Sequence, residues 1–344
     1  MADNSQANKP SNTFKAVALL SFRALVGAYA LNTLLHITAT LLFGEQWVII
    51  EFFNTFAQIL WLPTFILIPL CLMMREWRLS LMMLPAMMGF IVLWGALFMP
   101  NTLIEPQAND IPLRVMSYNL YTGNQQVVDY TQIISDTSPD IIGLQELNFT
   151  HTDIFTNEFS ATYPYTAFNP SNSTQGQGFM SVYPIIEEEY WRYDFLPQSL
   201  GHQRLVLQID NDTQITVYNI HPTHPAMNGH FFNPEFRSQE IADLLDRASR
   251  EVNPVIILGD FNMPDFSEDY RSIRQNFDDA FYTAGFGLGW TFPRIEQFNS
   301  AFLRLDYIFY SEDFSAQSAS VNRGYTGSDH NNLYADMLIL AGEG

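Results

Sequence analysis

Val255-Ile256-Ile257-Leu258-Gly259-Asp260-Phe261-Asn262 is an apolar run that stops abruptly at two small polar side chains. A run of β-branched and aliphatic residues reads as a buried strand. The glycine lets the chain turn at no steric cost, so Asp260 and Asn262 stand at the strand's exit. Two residues apart on an extended chain, their carboxylate and amide share one side. Strand ends are where layered α/β folds place their chemistry. Ser328-Asp329-His330 forms a second compact polar cluster, just ahead of the apolar run Leu333 to Leu340. Together the two clusters point to hydrolysis assisted by a metal ion and a histidine.

Working outward, the chain falls into two compositionally distinct parts. Residues 1–100 carry five Lys/Arg and four Asp/Glu in an otherwise mostly apolar stretch, whereas residues 101–344 carry eleven Arg, no Lys and thirty-two Asp/Glu, a formal charge of −21. Such a charge repels polyanions, which argues against a general nucleic-acid binder but leaves small phosphate substrates open. The single cysteine, Cys71, excludes an intramolecular disulfide and reads as a core or lipid-facing thiol. Oligomeric state has no signature in the sequence.

About twenty apolar residues cross a bilayer as a helix. Three segments qualify: 24–43, 52–74 and 79–99, the last two free of charged residues. Pro63 and Pro69 are expected to kink the second. Lys9, Lys15 and Arg23 precede the first segment, the loop 44–51 has no Lys or Arg, and the loop 75–78 has Arg75 and Arg78. The positive-inside rule then puts the N-terminus in the cytoplasm and residues beyond Met99 outside it. His36 reads as a neutral histidine bonded to a neighbouring helix, and the methionines between Met82 and Met88 as lipid-facing packing. Residues 100–112 read as a linker.

From 113 to 344 strand and helix patterns alternate. Strands are expected at 113–119, 141–146, 178–181, 185–191, 204–209, 215–220, 305–310 and 333–340, and helices at 129–137 and 233–251. This mixture of hairpins and crossover helices predicts β-sheets covered by helices. Polar clusters fall at the strand ends: Ser117-Tyr118-Asn119, Gln145-Glu146, Asn219-Ile220-His221, Asp260 with Asn262, Arg304-Leu305-Asp306 and Asp329-His330. Singly, each has a bland reading. Glu146 alone would be a solvated carboxylate, Asp306 an ion-pair partner of Arg304, and His221 or His224 a loop residue. Asp265 and Glu268 read as helix capping or solvation.

The joint order of these clusters resembles the endonuclease/exonuclease/phosphatase superfamily over residues 111–341. The resemblance implies an α/β fold of four layers, two packed β-sheets flanked by helices, here preceded by three transmembrane helices. It implies that Glu146 ligates Mg²⁺ or Mn²⁺, with Asn119 and Asp329 supporting the same ion directly or through water. It assigns Asp260 to the attacking water, Asn262 to the phosphoryl oxygens, His330 (held by Asp306) to the developing charge, and His221 to the phosphate's other side. Val182 departs from the arginine many members carry there, which raises the question of whether Arg192, Arg204 or Arg323 replaces it. The layout of three spans and then this domain looks like bacterial membrane proteins of the vancomycin/teicoplanin-resistance type. That implies a membrane-anchored phosphoesterase acting on a phosphorylated lipid, either a polyprenyl pyrophosphate or a phospholipid-type diester. A surface-anchored nuclease and a degenerate binding module are the alternatives.

Overall fold

The computed structural model describes residues 10–99, 103–123, 128–196, 199–226, 232–294, 300–322 and 327–341. The chain divides into two compact units, Met1–Leu93 and Trp94–Gly344.

The first unit is helical: α1 (Pro10–Phe43), α2 (Val48–Thr55), α3 (Ala57–Trp61), α4 (Thr64–Met73) and most of α5 (Trp77–Trp94). Two helices, Phe14–Phe43 and Trp77–Phe98, are long and apolar enough to cross a membrane; a third span exists if the bent pair Val48–Thr55 and Ala57–Met73 counts as one. The expected middle span is therefore not a single rod. It bends by 71° at Phe56, while Pro69 sits inside α4 without ending it. Val26 and Ala30 of α1 pack with Ile68 and Cys71 of α4 and Met83 of α5. Met83 is thus an interior residue, contrary to the lipid-facing expectation, although Met88 is exposed. His36 Nε2 lies 2.8 Å from Asn54 Oδ1, and the Trp61 indole donates to its Nδ1 at 3.4 Å.

The second unit opens with a short 3₁₀ turn (Gly95–Phe98) and then alternates strands with helices: β1 (Ile111–Asn119), α6 (Val128–Thr137), β2 (Ile141–Gln145), α7 (Phe149–Phe159), β3 (Tyr165–Asn169), β4 (Gln177–Ser181), β5 (Ile185–Trp191), β6 (His202–Gln208), β7 (Gln214–Ile220), α8 (Glu235–Ala248), β8 (Val255–Asp260), α9 (Glu268–Ile273), β9 (Asp278–Asp279), α10 (Ala280–Ala284), β10 (Asp306–Tyr310), β11 (Phe314–Val321) and β12 (Leu333–Ile339). They form two six-stranded sheets, ordered β11-β12-β1-β2-β4-β3 and β5-β6-β7-β8-β10-β9. The pairs β1/β2 and β7/β8 are parallel and the others antiparallel.

Side chains alternate between the faces of each strand. On the first sheet Met116, Tyr118, Ile142 and Leu144 point outward and are covered by Ile134 of α6 and Phe155 of α7. On the second, Tyr218, Ile257 and Phe309 are covered by Ile241 and Leu244 of α8 and Ile273 of α9. The residues between them in sequence face the opposite sheet. The result is a four-layer α/β sandwich, as expected. The sheets meet closely at Gly143, where a Cβ would stand 2.0 Å from Leu258 Cδ1.

The inward face is apolar over most of its length, then turns polar towards one end. Gln145 Nε2 donates to Asn219 Oδ1 (2.7 Å), and Asn219 Nδ2 donates to the Gly178 carbonyl (2.9 Å) and Gln203 Oε1 (3.0 Å). A buried amide is costly unless bonded. These amides bond one another and tie the two sheets together directly beneath the strand ends.

Candidate active site

Asn119, Asp260 and Asp306 are the next inward-facing positions at that end. Asp260 and Asp306 are directly opposite on the antiparallel β8/β10 ladder, and Asn119 is level with Gln145 on the parallel β1/β2 ladder. Gly259 lies inside β8 and not in a turn: its φ is +148°, and a Cβ would stand 1.9 Å from the Ile220 carbonyl oxygen of the neighbouring strand. Glu146 and Asn262 follow their strands with φ of +57° and +51°. Asparagine tolerates this left-handed region, whereas a glutamate there is strained, a pattern concentrated at functional sites.

Of the eight residues singled out from the sequence, Glu146, His221, Asp260, Asn262, Asp329 and His330 line one cavity of about 220 Å³. Asn119 and Asp306 stand behind its wall. Asn119 Nδ2 donates to Asp260 Oδ2 (3.0 Å) and Glu146 Oε1 (3.3 Å), while its Oδ1 accepts from the Tyr121 amide (3.0 Å). Asn119 therefore holds the two carboxylates side by side. Glu146 Oε2 accepts from the Thr122 amide at 2.9 Å. Asp260 Oδ1 accepts from the Asn262 amide (3.0 Å), and Asn262 Nδ2 donates to the Pro222 carbonyl (3.0 Å).

Asp260 Oδ2 lies 3.5 Å from Nε2 of both His221 and His330. His330 Nδ1 lies 2.9 Å from Asp306 Oδ2. Burial disfavours the His330 imidazolium, but the facing carboxylates of Asp306 and Asp260 outweigh it and lift the ring to about 10. His221 is driven down to about 4 by burial, which Asp260 only partly opposes. Two rings flanking one carboxylate thus hold opposite charge states at neutral pH. The Phe292 ring lies 4.6 Å from that of His330.

Burial raises the affinity of Glu146 and of Asp329 for protons, and Asp329 adds repulsion at Glu146, as Asp260 does at Asp329. Three carboxylates crowd one cavity, and among the described residues lining it none is Lys or Arg. A hard divalent cation is the partner such a donor set fits. Asp260, Asp306 and His330 also bring one donor atom each within 4.8 Å of one another. In that trio His330 Nδ1 is engaged by Asp306 at 2.9 Å, while Nε2 faces Asp260 at 3.5 Å.

Several participants were not singled out from the sequence. His224, Thr174, Leu200 and Phe292 also line the cavity. Of these only His224 carried a visible signal, in Pro222-Thr223-His224-Pro225. His202 supports His221 from below: its Nδ1 accepts from the His221 amide (3.3 Å), and its Nε2 faces Glu240 Oε1 at 3.4 Å. Asp265 is neither a cap nor solvated. Its side chain is 7% exposed and pairs with Arg304, while Ser267 caps α9. Arg304 reaches Asp279 at 2.7 Å, so Asp306 is not its ion-pair partner.

The departure at Val182 does not touch the site. Gln177 pairs with Gln145 at the cavity end of β4, and Ser181 pairs with Ile141 at the other end. That is about 13 Å away at roughly 3.3 Å per residue. Val182 packs on the outer apolar cluster. Arg204 pairs with Glu251 and Glu187, Arg192 Nε donates to the Ser199 carbonyl, and Arg323 lies outside the described residues.

A four-layer sandwich with carboxylates, amides and imidazoles gathered at one end of its paired sheets is a phosphoesterase architecture. The sequence model of the endonuclease/exonuclease/phosphatase family matches residues 116–330, and the chain belongs to that family. Among solved structures, an endonuclease/exonuclease/phosphatase family protein from Bacteroides thetaiotaomicron is 17% identical, with a TM-score of 0.55 over 68% of this chain and 100% of its own. A functionally unknown conserved protein from Enterococcus faecalis V583 is 16% identical, with a TM-score of 0.54 over 67% and 100%. D. rerio TDP2, complexed with a single-strand DNA product, is 15% identical, with a TM-score of 0.56 over 66% and 99%. At these identities the likeness is one of fold. No match was found among curated proteins.

Proposed function

We propose that the chain is a membrane-anchored, divalent-metal-dependent phosphoesterase that cleaves a phosphorylated lipid, either a polyprenyl pyrophosphate or a phospholipid-type diester, outside the cytoplasm. The observation that carries this reading is the convergence of Glu146, Asp329, Asp260, His221 and His330 on one cavity. Glu146 and Asp329 would hold Mg²⁺ or Mn²⁺, which when bound supplies Lewis-acid polarisation of a phosphoryl oxygen. Asp260, fixed by the Asn119 amide and the Asn262 backbone, orients the attacking water and accepts its proton. The His330 imidazolium, braced by Asp306, faces the negative charge that develops on the phosphoryl group. Asn262 and the neutral His221 bound the other side and orient the ester.

Two features support a lipid. Two or three apolar helices confine the catalytic unit to a bilayer, which raises its effective concentration towards lipid-borne substrates. The unit's charge of −21 disfavours polyanions. A second reading, a surface-anchored nuclease, is favoured by the likeness to a TDP2 structure that holds single-strand DNA. Against it, two arginines beside the site segments are engaged elsewhere, Arg237 with Asp269 and Arg304 with Asp279 and Asp265.

The full chain in detergent, assayed with a polyprenyl pyrophosphate, a phospholipid and single-stranded DNA, separates the two. We expect turnover of a lipid substrate with Mg²⁺ or Mn²⁺ and loss of turnover with a chelator. Faster turnover of DNA than of either lipid would establish the nuclease reading, and chelator-resistant hydrolysis would overturn the metal-dependent one.

A further inference from the structure

A buried charged cluster lies behind the site, and Trp94, the first residue of the second unit, bonds one of its members. Arg304 is 2% exposed and precedes Asp306 by two positions. Its guanidinium reaches Asp279 Oδ2 at 2.7 Å and Asp265 Oδ2 at 3.4 Å, and it stacks 4.7 Å over the Tyr307 ring. Tyr270 Oη donates to Asp279 at 2.8 Å. Tyr307 Oη bonds the Met263 and Arg304 carbonyls at 3.0 and 2.8 Å. Asp265 is three residues past Asn262. The cluster therefore clamps together the two segments that deliver Asp260 and Asn262 on one side and Asp306 on the other.

Trp94 ends α5, the last long apolar helix, and is 2% exposed. Its indole N–H donates to the Asp265 carboxylate. Its ring packs edge-on against Phe266 at 5.8 Å. The turn that follows is held as well: the Leu97 carbonyl accepts from the Gly287 amide at 2.8 Å, and Leu97 is fully buried. A carboxylate removed from water needs every donor it can reach. The Trp94 indole donates to Asp265 alongside the Arg304 guanidinium, whose other arm is committed to Asp279.

We propose that Trp94 is a positioning residue for the reaction: through Asp265 it fixes the loop 261–267, and with it Asp260 and Asn262. The segment that ends the last apolar helix is on this view part of the catalytic apparatus and not merely a leash. The inference rests on the phosphoesterase reading for its kinetic consequence, but its structural half can be measured separately.

Trp94→Phe keeps a ring against Phe266 and removes only the N–H. In the full chain in detergent, with Mg²⁺ and bis(p-nitrophenyl) phosphate, we expect kcat to fall about tenfold, the scale of a small misplacement of a reacting group, with KM within about twofold of wild type. Hydrogen exchange should rise in a peptide covering 261–267 and stay unchanged in peptides covering β1 and β2. Wild-type kcat and wild-type exchange in the variant would overturn the proposal. Loss of protection throughout the unit, with kcat and KM both altered, would also overturn it by showing a purely structural role. If the wild-type chain hydrolyses no phosphoester while exchange in 261–267 still responds to the substitution, the functional reading fails and the loop coupling stands.

Discussion

Asp260 accepts the Asn119 amide on one oxygen and the Asn262 backbone on the other, and it faces two imidazoles at equal distance. Removing it takes the facing carboxylate from Nε2 of both rings and leaves the Asn119 amide with Glu146 alone. Asp260→Ala and His330→Ala are each expected to lower kcat by about 10²-fold or more, measured with saturating metal and substrate; wild-type turnover in either variant would refute the role assigned to that residue. At this scale the sequence was legible where residue type and strand-end position coincide, as for Asp260, Asn262, His330 and Glu146. It was less legible where function depends on which atom of a side chain faces where. For Asn119 the sequence marks the position, and only the fold shows that its nitrogen is the atom turned to Glu146 and Asp260. Gln145 and Glu146 read as one polar pair, yet Gln145 points between the sheets and Glu146 into the cavity, because the chain leaves the strand at Glu146 with a φ of +57°. Leu200, Phe292 and Thr174 have no chemistry that would single them out before the loops are folded.

The elements that were easy to read are those with a strong apolar period, such as β8, β10 and α8. β11 (Phe-Ser-Ala-Gln-Ser-Ala-Ser-Val) was not expected: it is a sheet edge with few large apolar side chains, formed because β12 offers it a ladder. α7 was also missed. Its Thr- and Asn-containing sequence has modest helix propensity, but the Asn148 side chain caps it by accepting from the His151 amide at 2.8 Å, and Phe155 and Phe159 bury one face. Between elements, Glu251 joins the end of α8 to β6 and β7 through Arg204 (2.6 Å), Tyr218 (2.6 Å) and Thr216 (3.2 Å). Burial opposes its ionisation, but these donors prevail and hold the carboxyl below its ordinary value of 4.5. The unfolded chain then binds the proton more readily, so this contribution is complete above pH 4.5 and is lost as pH falls through the folded value. Glu251→Gln should cost about 1 kcal/mol at neutral pH, the scale of a charge-assisted bond discounted for partial exposure. The gap from wild type should narrow in denaturant titrations carried from pH 7 to pH 3; a gap that widens on acidification would contradict this assignment.

For the molecule as a whole, the contrast between an apolar N-terminal third and a lysine-free, acidic remainder announced two units before any element was assigned. The bend at Phe56 was not announced, because hydropathy reports how apolar a segment is and not whether its helix is continuous. The distribution of Lys and Arg predicts that a periplasmic-type phosphatase reporter fused after Gly344 is active and that a fluorescent-protein fusion there is dark; a bright, phosphatase-negative fusion would reverse the orientation. The pairing of Asp306 with Asp260 on a single rung of the β8/β10 ladder has a further consequence. The chain leaves that rung and returns to it, and the intervening excursion contributes Phe292 to the cavity wall. The wall at Phe292 can therefore be reshaped while the two acids stay in register.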